Sequence, residues 1–70
     1  MICYAIKKNG LYASYRLGEK WGELELFSTW LFLSKLQAKD YAEQKGKGYE
    51  DYEDIVQIKI IEVEGTNAKD

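Results

Sequence analysis

The dipeptide Asn9-Gly10 constrains this chain more than any other feature of it. A two-residue hairpin turn of type I′ needs positive φ at both positions, which Asn and Gly tolerate and most residues do not. On either side the sequence alternates. Ile2, Tyr4 and Ile6 interleave with Cys3, Ala5 and Lys7, and Leu11, Ala13, Tyr15 and Leu17 interleave with Tyr12, Ser14 and Arg16. A period of two on both sides of such a turn predicts a β-hairpin over residues 2–17.

The rest of the chain has to complete a sheet around that hairpin. Residues 18–22 form a turn-rich link containing Trp21. Within 23–33, Glu23-Leu24-Glu25-Leu26 alternates and Thr29 to Leu33 is rich in β-formers, so one or two short strands are expected, with a bend at Ser28-Thr29. Leu24, Phe27 and Leu31 are also helically spaced, and a single buried helix is the rival reading. Ser34 followed by Gln37 is a capping box, and Gly46 supplies a helix stop, which together predict a helix over 35–45. Leu36, Ala38, Tyr41 and Ala42 would be its packing face, with Leu33 stapled onto Ala38. A polar loop covers 46–54.

Residues 55–63 read as a closing strand, central in the sheet, with Val56, Ile58 and Ile60 on one side. Ile61 and Val63 fall on the other side, which calls for a bulge after Ile60 or for cover on both faces. Residues 65–70 read as a frayed tail. The expected fold is α+β: a small antiparallel or mixed sheet with one helix packed on one face.

At 70 residues the chain has room for one core, so 1–70 is read as one domain. Hydrophobic residues at 46% and charged residues at 31% are the balance of a globular protein. A core this small gains from self-association, so a homodimer is expected as a partner state. Cys3 is the only cysteine, which excludes an intrachain disulfide and points to a reducing, cytoplasmic compartment. The first residues lack the basic end and long apolar run of a secretory leader. No apolar run approaches the ~20 residues of a membrane span, so no membrane partner is expected.

Chemistry is scarce. The chain has no His, which removes the usual general base near neutral pH and the commonest metal ligand. Cys3, on a strand beside Ile2 and Tyr4, reads as packing and not as a nucleophile. Ser14, Ser28 and Ser34 have no candidate base beside them in sequence. Gly46-Lys47-Gly48 lacks phosphate-loop spacing and follows a helix instead of opening one. The expectation is therefore no enzyme, no catalytic residue, no cofactor and no metal site.

Charge is unevenly spread along the chain. Residues 1–20 carry Lys7, Lys8, Arg16 and Lys20 against Glu19, whereas residues 48–70 net −5. The most distinctive stretch is the direct repeat Tyr49-Glu50-Asp51-Tyr52-Glu53-Asp54. Read blandly, it is a solvated loop whose acids guard a sheet edge. Read as a site, its tyrosines offer rigid contact area and its carboxylates steer toward a basic protein surface, with Trp21 as a further anchor. Calcium is a third reading, but the spacing of an EF-hand loop is missing. A nucleic-acid alternative rests on Tyr4, Tyr12 and Tyr15 for base stacking, with Lys7, Lys8 and Arg16 for the backbone; the sequence pI near 5.1 speaks against it. A structural subunit of a larger assembly is the remaining option.

The runs Tyr4-Ala5-Ile6-Lys7-Lys8-Asn9-Gly10-Leu11-Tyr12 and Leu31-Phe32-Leu33-Ser34-Lys35, the latter leading to Ala38 and Tyr41-Ala42-Glu43, resemble small accessory proteins of bacteriophages and prophages. The resemblance is one of architecture: a hairpin, a Phe-x-Ser-Lys helix entry and a closing strand. It implies a non-catalytic inhibitor or modulator of a host enzyme or defence complex, and it transfers no functional residue.

Overall fold

Asn9 and Gly10 adopt φ values of 52° and 79°, the positive pair that a two-residue turn of this hand requires. The computed structural model describes residues 1–61. It has five elements in chain order: β1 (Ile2–Lys8), β2 (Leu11–Ala13), β3 (Trp21–Gly22), α1 (Lys35–Glu43) and β4 (Asp54–Lys59). The four strands form one sheet in the order β3-β2-β1-β4, antiparallel throughout. This is the α+β arrangement expected, with the single helix on one face.

The hairpin is shorter than the alternation suggested. Regular pairing of β1 with β2 holds at Lys7 with Tyr12 and Lys8 with Leu11, and then the strands part. The segment 28–32 enters this fork. Trp30 N–H donates to the Ala13 carbonyl and Tyr15 N–H to the Ser28 carbonyl, while Tyr4 and Phe32 exchange both backbone bonds at 2.8 Å. Residues 23–33 are thus neither the strands expected nor the rival helix. They meet the sheet at two isolated bridges, Ser14 with Thr29 and Tyr4 with Phe32. The extra strand, β3, forms instead at Trp21–Gly22, inside what the sequence suggested was a link.

Ser34 caps α1, its hydroxyl accepting from the Gln37 N–H at 3.1 Å. The helix ends at Glu43, two residues before the expected Lys45, because Gln44 N–H closes back onto the Tyr41 carbonyl at 3.3 Å. Gly46 then turns the chain at φ 87°. Ala38 and Ala42 are fully buried against Ile6, Ala13, Ile55 and Tyr49. Leu36 is not part of this face: it is 67% exposed, and Leu33 is exposed beside it. The two alanines let the helix sit close, and the bulk of the core comes from aromatic rings. Tyr4, Trp21, Trp30, Phe32, Tyr41 and Tyr52 all pack around the buried cluster.

β4 pairs with β1 from Ile2 opposite Lys59 to Lys7 opposite Asp54, the longest ladder in the sheet. The expectation that this strand is central is corrected. β1 is central, and among the described residues nothing lies outside β4. Its β-branched residues are explained by cover on both faces: Ile55 is buried under the helix, while Val56, Ile58 and Ile60 are half-buried on the opposite face. The continuation to Val63 and the tail 65–70 lie outside the described residues. Among the described residues no helix is long and apolar enough to cross a membrane.

Candidate functional site

The acidic segment folds back onto the hairpin tip. Lys8 forms an ion pair with Asp51, Asn9 N–H donates to the Glu53 carboxylate at 2.9 Å, and Asp54 accepts from the N–H of Ile55 at 2.8 Å. Glu53 N–H in turn donates to the Lys7 carbonyl at 2.9 Å. Of the four acids, Glu50 alone has no partner among the described residues. The Lys8 hydrogen bond holds the Asp51 carboxyl below the usual carboxylate range. The acids do not converge, and among the described residues no group of three or more His, Cys, Asp or Glu is arranged to hold a metal.

The two tyrosines of the segment behave differently. Tyr49 is 5% exposed, its hydroxyl donating to the Ser14 carbonyl at 3.3 Å and its ring lying edge-on to Trp21 at 5.1 Å. Burial raises its pKa above the ordinary phenol value. It is therefore a core residue, and Trp21 is a half-buried lid over it instead of a projecting anchor. Tyr52 is half-buried and donates to Glu43 at 2.9 Å, which raises its pKa also. Glu50, Asp51, Glu53 and Asp54 are exposed, and Tyr52 partly so.

The residues proposed for nucleic acid do not share one platform. Tyr4 lies on the helix side with Ile6, whereas Tyr12, opposite Lys7, lies on the other face of the sheet. Tyr15 rests edge-on against Trp30 at 4.9 Å. Among the cations, Lys8 is paired with Asp51, Arg16 with Glu25 and Glu19, and Lys7 sits over the Tyr12 ring at 5.5 Å.

A third surface was not singled out from the sequence. On the face of the sheet away from the helix, Leu24, Leu26, Leu31, Ile58 and Ile60 line an apolar groove of about 260 Å³, with Glu25 and Lys59 also lining it. Cys3, paired to Ile58 on this face, is buried. Phe27, next in chain to the lining Leu26, is 84% exposed, an unusual position for so large an apolar ring. Alternation at Val56, Ile58 and Ile60 was the sequence signal for one wall; the opposite wall comes from a loop whose course the sequence does not reveal.

No protein-family model, curated protein or solved structure matches this chain.

The loop that carries Leu24 and Leu26 is fixed by a polar network at the mouth of the fork. Ser14, Ser28 and Thr29 are buried, and each is satisfied. Ser14 donates to Glu19 at 2.9 Å and Ser28 to Glu25 at 2.6 Å, while the Thr29 hydroxyl accepts from Glu25 N–H at 2.8 Å. Arg16 bridges Glu19 and Glu25 from outside. Gly22 leaves room for this arrangement: a Cβ there would approach the Glu19 carboxyl carbon to 2.5 Å. The Ser28 bond, followed by Arg16, lowers the pKa of Glu25. The Ser14–Glu19 and Ser28–Glu25 bonds fasten the loop to the end of β2.

Proposed function

We propose that this chain is a non-catalytic protein-binding module that takes an apolar segment of a partner protein into the groove between β4 and the Leu24–Leu26 loop. One observation carries the reading: five aliphatic side chains from three separate segments line one open depression on the helix-free face. An apolar depression rimmed by charge has the make-up of an interaction site, an apolar centre with a polar border. Exposed Phe27 next to it supplies a large aromatic ring, a residue type enriched at such sites.

The acidic loop keeps a supporting role in this reading. Its carboxylates, three of them held by the domain itself, bias approach toward a partner with a basic surface without forming the contact. The resemblance to phage and prophage accessory proteins supports the same class, a modulator of a host enzyme or defence complex inside the reducing interior of a cell, where the buried thiol of Cys3 stays reduced.

The test is capture of partner from native host extract with wild-type and variant chains, read by mass spectrometry and then by titration with the captured protein. The paired change Leu24→Asp and Leu26→Asp should weaken binding by about 2 kcal/mol or more, roughly thirtyfold. Glu50→Gln, Asp51→Asn, Glu53→Gln and Asp54→Asn together should slow association and leave the dissociation rate close to wild type. Full binding by the leucine variant, with loss in the neutralised one, would transfer the contact to the acidic loop and overturn the groove.

A further inference from the structure

The free edge of β4 is self-complementary, and we propose that it pairs two copies of this chain antiparallel about a two-fold axis near Gln57. The case starts from which way the backbone points. Tyr4 gives both of its backbone bonds to Phe32, so Cys3, Ala5 and Lys7 turn theirs toward β4. Their partners Ile58, Val56 and Asp54 therefore point inward. Ile55, Gln57 and Lys59 point out, and among the described residues no strand meets them. The Ile55 N–H is already held by the Asp54 carboxylate. That leaves the N–H groups of Gln57 and Lys59 and the carbonyls of all three as an open template.

The side chains decide what the template accepts. The strand is polarised, with Asp54 at its start, Glu53 just before it and Lys59 at its end. Laid antiparallel on a second copy, each Lys59 arrives at the acidic end of the other strand, twice by symmetry. A parallel arrangement would put acid beside acid. With the axis at Gln57, Val56 of one copy lies beside Ile58 of the other on the helix-free face, and the two half-buried rows become one apolar surface. The domain has reason to use it: Ile6 is its largest side chain buried to completion, and cores of this size gain from association. A single strand seam lies at the small end of specific interfaces, below about 1,200 Å², so the pair is expected to be reversible. Ile58 and Lys59 also line the groove, but the seam is built on the outward backbone of β4 and its end charges and does not require the groove to hold a partner.

Sedimentation equilibrium of the full chain from micromolar to millimolar concentration tests it. The expected result is a reversible monomer–dimer equilibrium. Gln57→Pro removes an outward N–H without touching the β1 ladder, so it should give a monomer with an unchanged circular dichroism spectrum. Lys59→Glu alone, and Glu53→Lys with Asp54→Lys alone, should each weaken association at least tenfold, and mixing the two chains should restore a heterodimer. If Gln57→Pro unfolds, the charge-swap mixture still decides the matter. A wild-type chain that stays monomeric throughout, a folded Gln57→Pro chain that dimerises like wild type, or charge variants indifferent to one another would each overturn the proposal.

Discussion

The hydroxyl of Tyr49 donates to the carbonyl of Ser14, 3.3 Å away and 35 residues earlier in the chain. That bond ties the loop after the helix to the point where β2 leaves the hairpin. Tyr49 also reaches toward the Lys20 carbonyl at 3.5 Å, and its ring contacts those of Trp21 and Tyr41. Tyr49 thus joins the sheet's outer half to the helix.

Tyr49→Phe should cost about 1 kcal/mol at neutral pH, the net worth of one buried hydrogen bond, and Tyr49→Ala about 3–5 kcal/mol, as for other large aromatic truncations. The pH dependence separates the hydroxyl from the ring. Because the folded pKa is raised, the unfolded chain ionises first above about 10 and stability falls as pH rises further. The phenylalanine variant should lose stability less steeply over that alkaline range. Urea melts of both chains at neutral and alkaline pH check this.

Thr29→Val should destabilise by about 1–3 kcal/mol, because it keeps the side chain's shape and removes the acceptor for the Glu25 N–H. Thr29→Ser, which retains the hydroxyl, should cost less. Equal losses in the two variants would show that the methyl group, and not the hydrogen bond, fixes the Leu24–Leu26 loop.

These two positions also show what could be read in advance. The turn at Asn9-Gly10 and the Ser34 cap are local, decided by residues next to one another, and both were legible. The opening of the hairpin was not. It depends on 28–32 entering between Tyr4 and Ala13, a contact across sequence that alternation at Tyr15 and Leu17 hides, since those residues alternate without a strand partner. Leu36 misled for a related reason: helical spacing offers it to the core, but the close approach set by Ala38 and Ala42 turns the other side of the helix inward. Charge was visible at Asp51 and Glu53, while their partners Lys8 and Asn9 were not. Both walls of the groove, Ile58 with Ile60 and Leu24 with Leu26, alternate in sequence, but their meeting across more than 30 residues has no local signal.

Asp51→Asn should lower stability slightly at neutral pH and less so in high salt, since the pair with Lys8 is exposed on the Asp51 side. The sign follows from the depressed folded pKa. The contribution is present above the ordinary aspartate value of about 3.9 and is lost as pH falls through the lower folded value. Wild type and variant should therefore converge in stability in acid. Thermal melts of both chains across the acid range, at low and high ionic strength, measure the gap.

Substitutions on the two sides of α1 should give opposite results to those the leucine's hydrophobicity suggests. Leu36→Lys, at a site 67% exposed, should change stability by no more than about 0.5 kcal/mol. Ala42→Leu, at a site with no exposure, should cost about 1–3 kcal/mol, because added methylenes have to displace Ile6, Ile55 or Tyr49 from a packed layer. Denaturant unfolding of the two variants reads the contrast directly. A large loss at Leu36 with none at Ala42 would mean that the helix sits on the sheet by its other side, and the aromatic layer beneath it would have to be rebuilt.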